Sequence, residues 1–109
     1  KDTSGEENTI AIPGFEKVTL YANETTQAVN FHNPEINDCY FKISLIHPDG
    51  SVLWISDLIE PGKGMYSIEL EKTLAVGEYE NAVLKYECFS LNDQSPLNGS
   101  EINLKLVVV

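Results

Sequence analysis

Apolar and polar residues alternate along most of this chain, and the alternation is longest at residues 82–89. Ala82, Leu84, Tyr86 and Cys88 fall on one side of that stretch, and the residues between them fall on the other. Strict period two over eight residues is typical of a β-strand with one buried face. We therefore predict a central strand here and place the rest of the chain around it.

The same alternation recurs in shorter segments that Gly, Pro, Asn and Asp residues separate. Residues 39–46, CYFKISLI, are the best candidate for a strand beside the central one. Further strands are predicted at residues 8–13, 15–22, 25–31, 51–59, 65–71 and 101–109. Seven or eight short strands without a helical period predict an all-β sandwich of two antiparallel sheets, with an up-and-down barrel as the alternative. Residues 91–100 are predicted to be a polar connection.

Residues 47–50, His-Pro-Asp-Gly, carry the sharpest turn signal in the chain. Pro48 sets φ at the first turn position, and Gly50 accepts the left-handed conformation of a bulged three-residue loop. With that loop, Leu45 faces Leu53 and Trp54 points away from the core. A two-residue loop would shift the register by one residue and bury Trp54 instead. We favour the bulged loop.

Leu74, Gly77 and Tyr79 precede the central strand with the spacing L-x-x-G-x-Y. This spacing resembles the tyrosine corner of immunoglobulin-like domains, in which a Tyr bonds its hydroxyl back to upstream backbone. In antibody domains a Cys follows that Tyr by two residues, whereas Asn81 stands there in this chain. The resemblance implies structural roles for Gly77 and Tyr79, and an ordinary glycine turn is the alternative.

Three segments, CYFKISL, PDGSVLWISDLIEPGKG and LAVGEYENAVLKYECFSL, together cover roughly half of the chain. They resemble small immunoglobulin-like or fibronectin-III-like domains of secreted proteins and lipoproteins of Gram-positive bacteria. The resemblance implies a sandwich domain at residues 9–109 and an extracytoplasmic location, secreted or anchored at the cell surface. It implies no catalytic residues. Residues 1–8, KDTSGEEN, have the small, polar and acidic composition of a flexible tether.

The two cysteines fall on adjacent strands of such a sandwich. Residues 39–46 and the central strand are expected to run antiparallel, so the start of one meets the end of the other. Cys39 then lies opposite Cys88, and Phe41 lies opposite Tyr86. We predict a disulfide between the cysteines, which would indicate an oxidising compartment. Two buried free thiols are the alternative, because cysteine is often buried without a partner.

The charge of the chain narrows the range of partners. Seven Lys, no Arg and 17 acidic residues give a formal net charge of -10. The chain therefore lacks the planar guanidinium group that binds phosphate, and its negative charge repels polyanions. We expect no nucleic-acid partner. No run approaches the roughly 20 apolar residues of a membrane span, so we expect no direct membrane insertion.

No motif predicts catalysis, a cofactor or a metal site. His32 and His47 flank loops, and no Ser lies in a nucleophile motif. Residues 33–38 contain oxygen ligands suited to calcium but do not match a calcium-loop pattern. We therefore expect no enzyme activity, no cofactor and no bound metal.

One sheet face is predicted to expose large apolar residues if the bulged loop holds. These residues are Tyr40, Ile46, Val52, Trp54, Leu58, Val83 and Phe89. Contiguous exposed apolar residues often mark a binding surface, with aromatic residues as anchors. We predict a noncatalytic module that binds a protein through this face, or alternatively a carbohydrate-binding module that stacks sugar rings on Trp54 and Tyr40. The competing explanation is that another strand, a neighbouring domain or a second copy covers the face.

Overall fold

The computed structural model describes residues 17–109, and all the regular secondary structure in that range is β-strand. The strands are β1 (Lys17–Leu20), β2 (Thr26–His32), β3 (Cys39–Ile46), β4 (Val52–Ile55), β5 (Gly64–Glu69), β6 (Gly77–Ser90) and β7 (Pro96–Val108). The prediction of an all-β fold is confirmed. The predicted tether at residues 1–8 and the strand predicted at residues 8–13 lie outside the described residues. Within residues 17–109, no helix has the length and hydropathy of a membrane span.

The described strands form two sheets. The larger sheet has the order β1-β7-β6-β3-β4, and β2 pairs with β5 in the smaller one. Among the described strand pairs, only β1 and β7 run parallel, with Lys17 beside Lys105. The prediction of purely antiparallel sheets is therefore wrong at this edge. No hairpin joins β1 to β7, so no tight turn fixes their relative direction.

The two sheets share one hydrophobic core. Phe31 and Ile68 enter it from the smaller sheet, and Phe41 and Leu84 enter it from the larger one, each at most 3% exposed. Burial of one large apolar side chain stabilises a fold by about 1.5–3 kcal/mol. This shared core therefore holds the two sheets together.

β3 and β6 are antiparallel neighbours at the centre of the larger sheet, as predicted. Their register differs from the prediction, because Cys39 lies opposite Ser90 and Phe41 lies opposite Cys88. The predicted register is wrong by two residues. A shift of two keeps every side chain on the same face of the sheet, so alternation alone could not distinguish the two registers.

Tyr79 closes the corner that leads into β6. Its hydroxyl donates a hydrogen bond to the backbone oxygen of Ala75 at 2.8 Å, which is the contact that the L-x-x-G-x-Y spacing predicts. Leu74 is buried at 6% exposure, and Gly77 opens the strand with a φ of 155°. The bond from Tyr79 therefore ties the start of β6 to the segment before it.

β6 and β7 form a long hairpin, and the first part of β7 extends past the end of β1. Phe89 lies opposite Pro96, so half of the predicted polar connection is in fact strand. β1 pairs with β7 only from Lys105 onward, and residues 96–101 are all exposed. Because neither side of this stretch is buried, its residues are polar and its pattern resembles that of a loop.

Candidate binding surface

The outer face of the larger sheet is the side that points away from the core. Its side chains alternate along β3 and β6 with the buried ones, and the described strands form no third sheet that could cover it. Of the seven residues proposed for the binding face, five lie on the strands of this outer face, namely Tyr40, Ile46, Val52, Val83 and Phe89, and Leu58 lies outside the strands. Val52 is 42% exposed, and the other four are half-buried.

The turn between β3 and β4 has the predicted three-residue form. The backbone N–H of His47 donates to the oxygen of Ser51 at 2.8 Å, and Gly50 has a φ of 94°. A Cβ at position 50 would meet no atom within 4 Å, so glycine is required there for its backbone conformation rather than for space. The structural role predicted for Gly50 agrees with this geometry.

Trp54 lies on the inner face, so its predicted exposure is wrong. A register irregularity between Leu45 and Ile46 places Leu45 opposite Trp54 instead of Leu53. Trp54 is consequently 7% exposed, and its ring centre lies 5.7 Å from that of Phe31. The turn was predicted correctly, but a second bulge one residue further on reversed the direction of the indole.

The apolar residues of the outer face form two separate groups. The aromatic end consists of Tyr40, Phe89 and Pro96, which are cross-strand neighbours in one row across β3, β6 and β7. The aliphatic end includes Ile46, Val52 and Val83, which are paired in the same way, and Ile55, which lies opposite Ser44 on the same face. The contiguous aromatic face predicted from the sequence is therefore divided.

Charged cross-strand pairs occupy the middle of the outer face. Lys42 lies opposite Glu87, and Lys85 lies opposite Glu101. At the other end of β7, the Nζ of Lys105 contacts Glu78 at 3.0 Å and Glu80 at 3.2 Å. The two ion pairs of Lys105 are largely exposed, and pairs of this kind typically stabilise by about 0–1 kcal/mol. They determine the electrostatics of the face more than its stability.

The outer face is neutral on a strongly acidic protein. Four of the six lysines in residues 17–109 lie on it, and four glutamates balance them: Lys17, Lys42, Lys85, Lys105, Glu78, Glu80, Glu87 and Glu101. The other two lysines and nine acidic residues in that range give a formal charge of -7. The net negative charge of the described residues therefore lies away from the outer face. The alternation of the sequence already placed these residues outward, but their balance was not used in the prediction.

Cys39 and Cys88 are free thiols in this structure, so the predicted disulfide is not formed. The register places them diagonally on neighbouring strands, where Cβ atoms are typically about 7 Å apart, whereas a disulfide needs about 4 Å. The two thiols nevertheless lie close enough to influence each other's pKa. Burial raises the pKa of Cys88 to about 12 and also raises the pKa of Cys39. Both groups are therefore held protonated at neutral pH.

The loop considered for calcium is held by Asn33 as a structural residue. Its side-chain Nδ2 donates to the backbone oxygens of Cys39 at 2.8 Å and Ile59 at 2.9 Å, and its Oδ1 accepts from Asn37 at 2.9 Å. Asn33 is fully buried, so its amide oxygen does not face solvent. Asn33 and Asn37, two of the residues considered as calcium ligands, instead join neighbouring loops. Among residues 17–109, no cluster of three or more His, Cys, Asp or Glu is arranged to hold a metal ion.

An open depression of about 410 Å³ lies where β6 and β7 fall out of register. A Cβ at position 99 would approach the backbone oxygen of Tyr86 to 2.3 Å, so only Gly99 fits this close contact. Phe89 and Pro96 line the depression together with the charged side chains of Lys85 and Glu87. It therefore adjoins the aromatic end of the outer face. This depression was not predictable, because the Asn-Gly-Ser stretch that borders it has the composition of a loop.

Comparison with protein-family models, with curated proteins and with solved structures finds no match for this chain.

Proposed function

We propose that this chain is an immunoglobulin-like sandwich that acts as a noncatalytic binding module. The β7-β6-β3-β4 order corresponds to strands G, F, C and C′ of such domains, and β2 with β5 corresponds to strands B and E. The bond from Tyr79 to Ala75 corresponds to their tyrosine corner. These features, together with the core shared by the two sheets, support the assignment.

The ligand is a protein that binds the outer face of the larger sheet. The observation that carries this proposal is the neutral, partly apolar outer face on a protein of charge -10. Aromatic anchors within a mixed polar surface are typical of protein interfaces, and net repulsion is lowest where charges balance. Tyr40 and Phe89 are the anchors, and the adjoining depression offers room for a side chain of the partner.

The carbohydrate alternative depended on Trp54 as a stacking platform. Trp54 is buried against Phe31, so no sugar ring can stack on it in this fold. The remaining stacking candidate, Tyr40, is half-buried in its sheet. A protein partner is therefore the better match to the outer face.

The extracytoplasmic address and the N-terminal tether belong to the same proposal. They are supported by the resemblance of three segments to domains of secreted proteins and lipoproteins. The free thiols provide no redox argument for that address, because the disulfide that suggested it is not formed.

The proposal is tested by panning a phage-displayed peptide library on the protein, immobilised at low density. A double variant, Tyr40→Ser with Phe89→Ser, serves for counter-selection, and Tyr66→Ser on β5, where the tyrosine is 62% exposed, serves as the matched control. Enriched peptides should bind the wild type and the control equally, and the double variant about tenfold more weakly or worse.

Peptides that bind the double variant as tightly as the wild type would contradict the proposed surface. The same three proteins are applied to a glycan array. Retention of glycans that depends on Tyr40, without any enrichment of peptides, would contradict a protein ligand.

A further inference from the structure

The residues of the outer face pair across strands in a self-complementary way. On β3 and β6, Tyr40 lies opposite Phe89, and Lys42 lies opposite Glu87. Ile46 lies opposite Val83 at the aliphatic end. Three of the four outward pairs of β3 and β6 thus match aromatic with aromatic, aliphatic with aliphatic or cation with anion at the same level along the strands, and the fourth pairs Ser44 with Lys85.

A twofold axis parallel to these strands converts this pairing into contacts between two copies. Let the axis lie above the outer face, midway between β3 and β6. The rotation then exchanges the two strands and leaves the position of each residue along the strand direction unchanged. Tyr40 of one copy then faces Phe89 of the other, and Lys42 faces Glu87. Because the operation is symmetric, every such contact occurs twice, as in an isologous dimer interface.

The charge distribution favours the same arrangement. Two acidic copies repel each other through most of their surfaces, because residues 17–109 carry a formal charge of -7 outside the outer face. The outer face contributes no net charge and offers two symmetric contacts between Lys42 and Glu87. Electrostatic complementarity mainly determines orientation and specificity, so it selects this face over the others.

We infer that the protein partner of the outer face is a second copy of this chain, packed face to face about that twofold axis. The inference rests on the proposal that this face binds protein. The axis superimposes four strands about 4.8 Å apart, of which β3 and β6 overlap over about 26 Å and the four-residue β4 covers about 13 Å of β7, so the planar area is roughly 400 Å². A standard interface buries about 800 Å² per partner, so we expect a reversible dimer with a dissociation constant on the order of micromolar.

The test uses charge reversal on the whole chain, measured by sedimentation equilibrium. Wild-type protein should show a monomer–dimer equilibrium that depends on concentration. Lys42→Glu alone places like charges at both symmetric contacts, and Glu87→Lys alone does the same, so each should weaken self-association by about tenfold. Lys63→Glu, which makes the same charge change away from the outer face, should leave the equilibrium unchanged.

An equimolar mixture of the two single variants provides the decisive experiment. In a mixed dimer, the new carboxylate at position 42 faces the new ammonium at position 87, and the unchanged Glu87 faces the unchanged Lys42. The mixture should therefore dimerise within about threefold of the wild type. Native mass spectrometry with one variant labelled with ¹⁵N should show mixed dimers in excess of either homodimer. A merely structural pair within one chain cannot produce this rescue, because each variant keeps its own defect.

The inference is overturned if the wild type is monomeric well above micromolar concentration, or if the mixture associates no better than the single variants. Either result leaves the peptide-panning experiment able to support or refute the outer face as a binding surface for a different protein. If dimers form but the panned peptides bind independently of Tyr40 and Phe89, the role of this face is self-association.

Discussion

The inner and outer faces of the larger sheet come from alternate residues of the same strands, yet they are built on different principles. On the inner face of β3, Phe41 and Ile43 are fully buried in a continuous core. On the outer face, apolar groups stand at two ends, and residues of opposite charge lie opposite one another between them. Alternation therefore specifies stability on one side of the sheet and leaves the composition of the other side free to vary. Substitutions on the two faces should therefore have different consequences.

The largest difference is expected between Trp54 and Tyr40. Trp54→Ala should lower the free energy of unfolding by about 3–5 kcal/mol, because it empties part of the core beside Phe31. Tyr40→Ala, on the outer face, should cost about 1 kcal/mol or less. Chemical denaturation measures both values. Equal losses at the two positions would show that the faces are not distinguished in this way.

The next effect concerns a buried polar residue rather than an apolar one. Asn33→Ala removes three hydrogen bonds and leaves the backbone oxygen of Cys39 without the amide that binds it, so it should lower the free energy of unfolding by about 2–3 kcal/mol. Asn30→Ala, at an exposed position of β2, is the control and should change stability by about 0.5 kcal/mol or less. If calcium stabilised the wild type and not the Asn33 variant, the structural role given to this loop would be wrong.

Two tyrosines near each other in sequence should respond in opposite ways to loss of the hydroxyl. Tyr79→Phe removes the bond to Ala75 and should cost about 1 kcal/mol. The hydroxyl of Tyr86 is buried without a hydrogen-bond partner among the described residues, so Tyr86→Phe should be neutral or stabilise by up to about 1 kcal/mol. Thermal unfolding of the two variants side by side would reveal the difference, and a clear loss at Tyr86 would indicate that its hydroxyl has a partner.

The smallest effect at neutral pH is expected from the cysteines. Burial raises the pKa of Cys88 from its ordinary value of 9.0 to about 12, so the unfolded chain loses this proton first as the pH rises. The contribution of Cys88 to the free energy of unfolding should therefore be constant below pH 9 and should fall between pH 9 and about 12. Cys88→Ala should weaken that decline. If the protein is unfolded without a reducing agent and no free thiol is then detected, the cysteines are bonded.

The sequence predicted which residues face inward far better than it predicted which residues lie opposite one another. Cys39 and Cys88 have the same parity in the predicted and observed registers, so no local pattern could reveal the two-residue shift. The face on which Trp54 lies depends on a bulge at Leu53, and the residues around Leu53 give no turn signal. The pairing of β1 with β7 joins the two ends of the described chain, and such long-range contacts leave no periodic signature.

The candidate surface was predictable to the same extent. Tyr40, Val83 and Phe89 were placed outward by alternation alone, and they lie there. The position of Pro96 opposite Phe89 could not be predicted, because residues 96–101 are polar enough to be taken for a loop. Exposure of both faces at the start of β7 removes the alternation from which strands are recognised.

Fluorescence of Trp54 tests the assignment of the two faces most directly, because it is the only tryptophan in the chain. With the indole packed beside Phe31, the folded protein should emit at short wavelength and resist quenching by acrylamide until it unfolds. Quenching that is equally strong in the folded and unfolded protein would place Trp54 in solvent and contradict the division between a dry inner face and a neutral outer one.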